Sequence, residues 1–181
     1  MKLQPTLESG LVKLRPLDMK DLEPLYEVAK DPMIWQQHPC KRYVRKDFEK
    51  FFLESIASNG ALIILDKRTN HIIGSSRFKP VQGFPNGVEI GWTFLSRKYW
   101  GGKYNKEVKD LMIGHAFKFV DNVILYVDKN NIRSQKAVEK INGKKIEERE
   151  YKKLLNTYPN NLTFMIKKAN WTSKKVEKSA P

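Results

Sequence analysis

Hydrophobic and polar residues follow two periods along this chain, and the two periods divide it into elements. Short runs typical of strands lie at residues 12–17, 61–66, 71–79, 88–95, 122–128, 144–151 and 162–168. Apolar residues recur at helical spacing at residues 22–29, 48–56, 108–119 and 132–141. The order is β-α-α-β-β-β-α-β-α-β-β, which predicts an α/β sheet with helices on both faces.

The stretch 88–120 carries the first candidate chemistry. Val88, Ile90 and Trp92 alternate with Glu89, so Glu89 is predicted to face away from that apolar side, together with Gly91 and Thr93. A turn at 97–104 contains the pair Gly101 and Gly102, and a long helix follows. The positive end of that helix and its unpaired backbone N–H groups suit an anionic phosphate group. A plain turn is the alternative.

Three segments carry a family resemblance. EIGW (89–92), WGGKYNKE (100–107) and NNIRSQKAVEKING (130–143) resemble, in this order and spacing, the acetyl-CoA-binding core of the GNAT superfamily of N-acetyltransferases, closest to its RimJ/RimL-type branch. The resemblance extends over about residues 11–168. It implies a GNAT-like, mixed and mostly antiparallel central sheet of about six to seven strands. It also implies that acetyl-CoA is the cosubstrate and that a primary amine attacks it directly.

The resemblance also implies roles for individual residues. A bulge in the 88–95 strand is expected to direct a backbone N–H at the thioester carbonyl. Glu89 is the implied base and Ser134 a candidate acid, while Trp35 and His38 border the acceptor pocket. The implied cofactor-binding residues are Trp92, Phe94, Arg97, Gly101, Gly102, Lys103, Tyr104, Asn105, Asn131 and Ser134.

Two departures from the family pattern affect these roles. Relatives commonly carry Gly-x-Gly/Ala across the phosphate turn, where this chain has Lys103 and Asn105. Many relatives also place a tyrosine, proposed as the acid for the thiolate, near Val138, and valine has no proton to donate. Ser134 or water is left for that task.

Each assignment has a simpler alternative. Glu89 can form a structural salt bridge at a strand start. Asn130 or Asn131 can cap the helix that follows, a role compatible with cofactor binding. Trp35 and His38 can form a hydrophobic cover with a surface histidine.

Length and composition restrict the class of protein. The 181 residues are enough for one domain, expected at 1–170 with a flexible basic tail at 171–181. One cysteine, Cys40, excludes an intrachain disulfide and a cysteine-rich metal cluster, which favours a reducing cytoplasm and no metal. No apolar run reaches the roughly 20 residues that cross a membrane. A monomer or homodimer is expected.

The net charge of +14 raises the question of a polyanionic partner. The lysines are dispersed and no nucleic-acid-binding motif accompanies them, so nucleic acid is an unlikely partner. The charge favours a neutral or acidic acceptor over a polyamine, whether that acceptor is a protein N-terminus or a small amine. The rival hypothesis is a non-catalytic CoA- or ribosome/RNA-associated binding module on the same fold.

Overall fold

A computed structural model describes residues 1–147, 151–155 and 157–171 of the chain. Its strands are β1 (Leu7–Glu8), β2 (Val12–Pro16), β3 (Ala61–Asp66), β4 (Ile72–Pro80), β5 (Gly87–Leu95), β6 (Asn122–Asp128), β7 (Lys144–Lys145) and β8 (Asn161–Lys167). Its α-helices are α1 (Leu22–Ala29), α2 (Arg45–Ala57), α3 (Tyr104–Ala116), α4 (Ile132–Glu139) and α5 (Lys152–Leu155). Among these residues no helix has the length and apolar character needed to cross a bilayer.

The strands form one sheet in the order β1-β2-β3-β4-β5-β6-β8-β7. Every pairing is antiparallel except that of β5 with β6. The predicted mixed, mostly antiparallel sheet is thereby confirmed, with eight strands rather than six or seven. The short edge strand β1, only two residues long, is too brief for its sequence pattern to reveal it.

Helices cover both faces of the sheet. In β3, Leu62 and Ile64 pack into the core beneath α3 and α4, whereas Ile63 and Leu65 pack beneath α1 and α2. This alternation follows from the two-residue period of a strand, and it explains why all six residues of β3 are buried. The prediction of helices on both faces is confirmed.

The parallel pair β5 and β6 diverges soon after it begins. Only Gly87, Val88 and Glu89 pair with β6, opposite Asn122, Val123 and Ile124. Beyond Glu89, β5 continues alongside β4, and β6 continues alongside β8. The two strands therefore separate, which opens a gap in the middle of the sheet.

A bulge in β5 lies at this gap. Arg77 of β4 pairs with Gly91, and Ser75 pairs with Phe94, so β5 contains one extra residue between these pairs. Trp92 adopts a φ of 52°, in the left-handed region. The bulge turns Trp92 toward α1 and α2, on the side of Glu89, and turns Thr93 toward α3. The prediction that Trp92 faces away from Glu89 while Thr93 shares its side is wrong, because the extra residue shifts the alternation.

The strand predicted at 144–151 is shorter than expected. Among its described residues only Lys144–Lys145 pairs, with β8, and Tyr151 opens the helical turn that continues as Lys152–Leu155. Residues 148–150 lie outside the described part of the chain, as does the tail predicted to be flexible apart from Trp171. Trp171 itself packs edge-on against Phe117, with ring centroids 5.3 Å apart.

Candidate functional site

Two connected cavities occupy the gap between β5 and β6. One, of about 200 Å³, lies toward the turn before α3. The other, of about 300 Å³, passes between the diverging strands. The residues common to both are Trp35, His38, Thr93, Asn105, Asn131, Ser134 and Ala137. Residues far apart in sequence thus meet at a single opening, and several of those predicted as site residues are among them.

The start of α3 lies exposed at one end of the opening. Lys103 occupies the N-cap position and forms no side-chain cap hydrogen bond, so the first N–H groups of this 13-residue helix keep their positive end exposed. Gly101, with φ of 71°, and Gly102 precede it, and a Cβ at either position would meet no atom within 4 Å. The backbone is therefore open to close approach by a phosphate group.

The predicted cofactor residues around this turn differ in their accessibility. Gly101 and Asn105 line the cavities, whereas Gly102 and Lys103 lie at the surface beside them. Arg97 is held by Asp31, with Nε 2.5 Å from Oδ2. Tyr104 packs edge-on against Tyr99 at 4.7 Å between ring centroids. Arg97 and Tyr104 therefore have structural partners, and their predicted cofactor contacts would be additional to these.

An arginine that the sequence did not single out closes the small cavity from the other side. The guanidinium of Arg133 lies 4.0 Å from the ring centroid of Trp100 and donates to the Ile34 carbonyl at 2.8 Å. This contact joins the start of α4 to the turn before α3. Nothing in the local pattern around Arg133 indicates the contact, because Trp100 is more than 30 residues distant in sequence.

Asn131 caps α4 and also lines both cavities. Its Oδ1 accepts from the Ser134 N–H at 3.1 Å, which caps α4. Its side-chain amide nitrogen donates no hydrogen bond to the described residues, and Asn131 lines both cavities. The oxygen thus stabilises the helix while the nitrogen is left for a ligand.

Two substitutions of Asn131 are expected to separate these functions. Asn131→Ala should lower the free energy of unfolding by about 0.5 to 2 kcal/mol through loss of the cap. It should also weaken acetyl-CoA binding, by about 0.5 to 3 kcal/mol for one or two hydrogen bonds. Asn131→Ser keeps a capping oxygen. Its acetyl-CoA affinity should therefore fall, while its free energy of unfolding stays close to that of the parent. Urea unfolding and calorimetry measure the two quantities; equal acetyl-CoA affinity in all three proteins would contradict the ligand contact.

Glu89 lies just behind the larger cavity. Its side chain is 5% exposed, and Oε1 lies 3.2 Å from the position that a Cβ on Gly91, a cavity-lining residue, would occupy. Within the described residues no ion pair involves Glu89, so the simple salt-bridge alternative is not observed. Burial raises the pKa of Glu89 to about 7, although Lys79 and Arg77 oppose the shift. A carboxyl with this pKa can exchange protons near neutral pH.

Trp35 and His38 form a wall of both cavities. Trp35 is anchored by its indole N–H, which donates to the Ala29 carbonyl at 2.7 Å, and its ring meets that of His38 edge-on. Burial, with help from Arg42, lowers the pKa of His38 to about 4, so the ring is neutral at pH 7. Nδ1 accepts from the Cys40 N–H at 3.0 Å, which places the ring proton on Nε2. His38 is half-buried rather than a surface residue.

Two basic residues in the larger cavity were also missed from the sequence. Lys109 of α3 and Arg42, in the segment between α1 and α2, line it on opposite faces of the sheet. Lys109 falls on the buried side of an amphipathic helix, a position where lysine is uncommon, and that was the one available signal. The described residues include no group of three or more His, Cys, Asp or Glu side chains that could hold a metal ion.

Comparison with known proteins agrees with this geometry. Residues 12–144 match the model of the acetyltransferase (GNAT) domain family. The fold is similar to a GCN5-related N-acetyltransferase from Brucella melitensis, with a TM-score of 0.76 and 15% identity over 93% of this chain and 80% of that one. It is also similar to a GNAT-family acetyltransferase from Bacillus anthracis, with a TM-score of 0.73 and 17% identity over 91% and 99% of the two chains.

A third similar structure carries a more specific description. It is a provisionally named ribosomal-protein-serine acetyltransferase from Vibrio cholerae, with a TM-score of 0.73 and 14% identity over 92% of this chain and 99% of that one. At these identities the structures show a common fold. No curated protein matches the chain. Because the family model covers most of the sequence, the chain belongs to the GNAT acetyltransferase family.

Proposed function

We propose that this protein transfers an acetyl group from acetyl-CoA to a primary amine by direct attack. The observation that carries the proposal is the cavity through the gap between β5 and β6. Together with the smaller cavity connected to it, it has an uncapped helix start at one end and the raised-pKa carboxyl of Glu89 behind the other. An activated thioester needs little more than positioning, a neutral amine and proton transfer.

The residues present fit acetyl-CoA, which supplies the activated acetyl group. The pyrophosphate would lie at the start of α3, beside Gly101, Gly102 and Lys103, where backbone and charge favour an anion. The pantetheine arm would lie along the free side of β5, as an added strand, within reach of the amide nitrogen of Asn131. Trp92 and Phe94, which line the cavities, would border its inner end.

Glu89 would prepare the acceptor. Amines are largely protonated at neutral pH, so an acidic group near the cavity both attracts the ammonium and removes its proton, directly or through water. Ser134 lines both cavities and would donate a hydrogen bond to the sulfur. A serine hydroxyl is a much weaker acid than a thiol, so Ser134 can orient the departing sulfur without being its net source of a proton.

The acceptor side of the cavity is basic and aromatic. Arg42 lines it, with its guanidinium 4.1 Å from the ring centroid of Phe51. The guanidinium of Arg77 lies 4.5 Å from the ring centroid of Trp92. Its Nε has no hydrogen-bond partner among the described residues. Burial lowers the pKa of Arg77 to about 10, which still leaves it charged at pH 7. We infer an acceptor that carries an anionic group near its amine, which the two arginine cations on this side of the cavity favour.

Two acceptor classes satisfy this description: an acidic protein N-terminus and a small amino acid. The resemblance to the RimJ/RimL-type branch and the description of the Vibrio cholerae structure favour a protein N-terminus. Both classes share one chemistry, a primary amine within a few bonds of a carboxylate, and a panel of acceptors separates them.

We expect acetyl-CoA to bind and its thiol to be released with amines of this class. The panel should pair peptides that differ only in an aspartate or lysine beside the N-terminal residue, and amino acids with their amides. The acidic or carboxylate member of each pair should react faster. In Arg42→Ala this preference should fall, whereas Lys41→Ala, its exposed neighbour, should leave it unchanged. Thiol release is followed with a colorimetric reagent, and binding by calorimetry.

Two results would contradict the proposal. Absence of acetyl-CoA binding together with salt-sensitive RNA binding would indicate the non-catalytic module instead. Equal rates for both members of every pair would refute the anionic acceptor while leaving acetyl transfer intact.

A further inference from the structure

A lysine in the middle of α3 reaches the bulge of β5 from the face opposite Trp92. Lys109 is 6% exposed, and its Nζ donates to Thr93 Oγ1 at 2.6 Å. Thr93 Oγ1 in turn lies 2.7 Å from Ser76 Oγ. The amine is therefore held by the one stretch of β5 that the bulge turns toward α3, and it lines the larger cavity there.

Within the part of the chain that the structure describes, no acidic partner accounts for this buried amine. On α3 itself, Glu107 is bound by Ser9 and Asp110 by Lys106. The other titratable groups that line the cavity are His38, Arg42, Tyr126 and Asp128. Among the described residues none of these groups forms an ion pair or a hydrogen bond with Lys109. Burial lowers the pKa of Lys109 to about 7, so the amine can both hold and release a proton at neutral pH.

The lining of the cavity divides into two sides. Ile90, Leu125 and Val138 belong to the core beneath α3 and α4, and Lys109 lies on that side. Trp92, Tyr126 and Arg42 line the opposite side. A group held in the gap is thus approached by an acceptor from one face of the sheet and by the Lys109 amine from the other.

We propose that Lys109 gives its proton to the sulfur of CoA as the sulfur departs. The inference rests on the proposed acetyl transfer. The acceptor nitrogen bonds to the acetyl carbon, the carbon–sulfur bond breaks with its electron pair on sulfur, and sulfur takes a proton from the Lys109 ammonium. Glu89 passes to solvent the two protons that the acceptor ammonium loses. Solvent returns one of them to Lys109, so each turnover releases one proton.

This assignment explains how the chain manages without a tyrosine near Val138. An ammonium opposite the departing sulfur also stabilises the negative charge that develops there, inside a site where charge interactions are strong. Thr93 positions the amine, and Ser134 orients the sulfur from α4. Thr93 and Ser134 therefore act through hydrogen bonds, whereas Lys109 supplies the proton.

The test uses CoA with a free thiol, bound to the full chain, and needs no acceptor. The pKa of the bound thiol is read from the NMR shift of the carbon attached to sulfur, across a pH titration. In the parent protein the thiolate and the Lys109 ammonium stabilise each other and titrate as a coupled pair. Thiolate should therefore form at a pH about one unit lower than in free CoA, roughly a tenfold rise in thiolate at a given pH. Lys109→Met should restore the value of free CoA. Lys109→Arg should keep the lowered value, because the charge stays, but should lower turnover, because arginine does not release its proton.

The controls separate this role from folding and from cofactor binding. Lys106→Met, on the exposed side of α3, should leave the thiol pKa within a few tenths of a unit of the parent. Desulfo-CoA, which lacks the sulfur, should bind equally to the parent and to Lys109→Met. If Lys109→Met binds CoA with an unchanged thiol pKa, the proposal is overturned, and Lys109→Gln repeats the measurement should the methionine variant not fold. If the parent binds no CoA, the proposed function itself fails instead.

Discussion

Replacing Glu89 by glutamine is expected to lower turnover by about 10- to 1,000-fold while leaving acetyl-CoA affinity nearly unchanged. The substitution preserves shape and most hydrogen bonding, and it removes only the group that can take a proton. In the parent protein the base works when deprotonated. Because burial raises the pKa of Glu89 to about 7, kcat/KM for a reactive amine should fall as the pH drops below about 7. The variant should lack that acidic limb.

The same carboxyl should affect stability in a direction that does not depend on catalysis. Its pKa is raised from 4.5 to about 7 by folding, so the native state binds the proton more tightly than the unfolded state. The contribution of Glu89 to stability should therefore fall by about 3 kcal/mol as the pH rises from about 4.5 to about 7 and then stay level. His38 and Lys109, whose pKa values folding lowers, contribute with the opposite sign. The contribution of Glu89 is therefore the difference between the parent and Glu89→Gln, which urea unfolding at several pH values measures.

Glu139→Gln provides the matched control, since Glu139 is an exposed carboxyl on α4. It should keep the turnover, the acidic limb and the stability profile of the parent. Full turnover of Glu89→Gln across pH 6 to 9 with a reactive acceptor would make Glu89 structural. The acceptor amine would then lose its proton to solvent or to another group.

A second large effect is expected at the turn before α3. Gly102→Leu together with Asn105→Leu should weaken CoA binding on the order of tenfold or more, because bulky side chains would occupy the space that the phosphate needs. The free structure offers no obstacle to the first change, since a Cβ on Gly102 meets nothing within 4 Å. The free energy of unfolding should therefore change much less than the free energy of CoA binding.

Gly10→Leu tests whether a leucine in place of any exposed glycine would weaken CoA binding. A Cβ there also meets nothing within 4 Å, and Gly10 lies between β1 and β2, away from both cavities. It should bind CoA like the parent. Unchanged CoA affinity in the double variant, measured by calorimetry, would remove the phosphate from this turn.

Local patterns alone determined most of the elements and the order in which they occur. The two-residue and helical periods predicted β3 and β6 to the residue and located α3 after the Gly-Gly turn, because side-chain burial follows backbone geometry within each element. The segments around Glu89, Gly101 and Asn131 were recognisable for the same reason, since each lies within one short stretch of sequence. Asn131 could be foreseen as a cap because capping is a contact between neighbours.

Only the tertiary structure decided which residues share the site. The alternation of residues 88–95 has no break that would indicate the bulge at Trp92. In the structure, one extra residue nevertheless places Trp92 on the side of Glu89 and Thr93 on the side of α3. Lys109 became a site residue because β5 and β6 diverge above it, and strand divergence depends on pairing between distant segments. Burial then set the pKa of Glu89 and that of Lys109, because desolvation depends on what packs around a charge rather than on its neighbours in sequence.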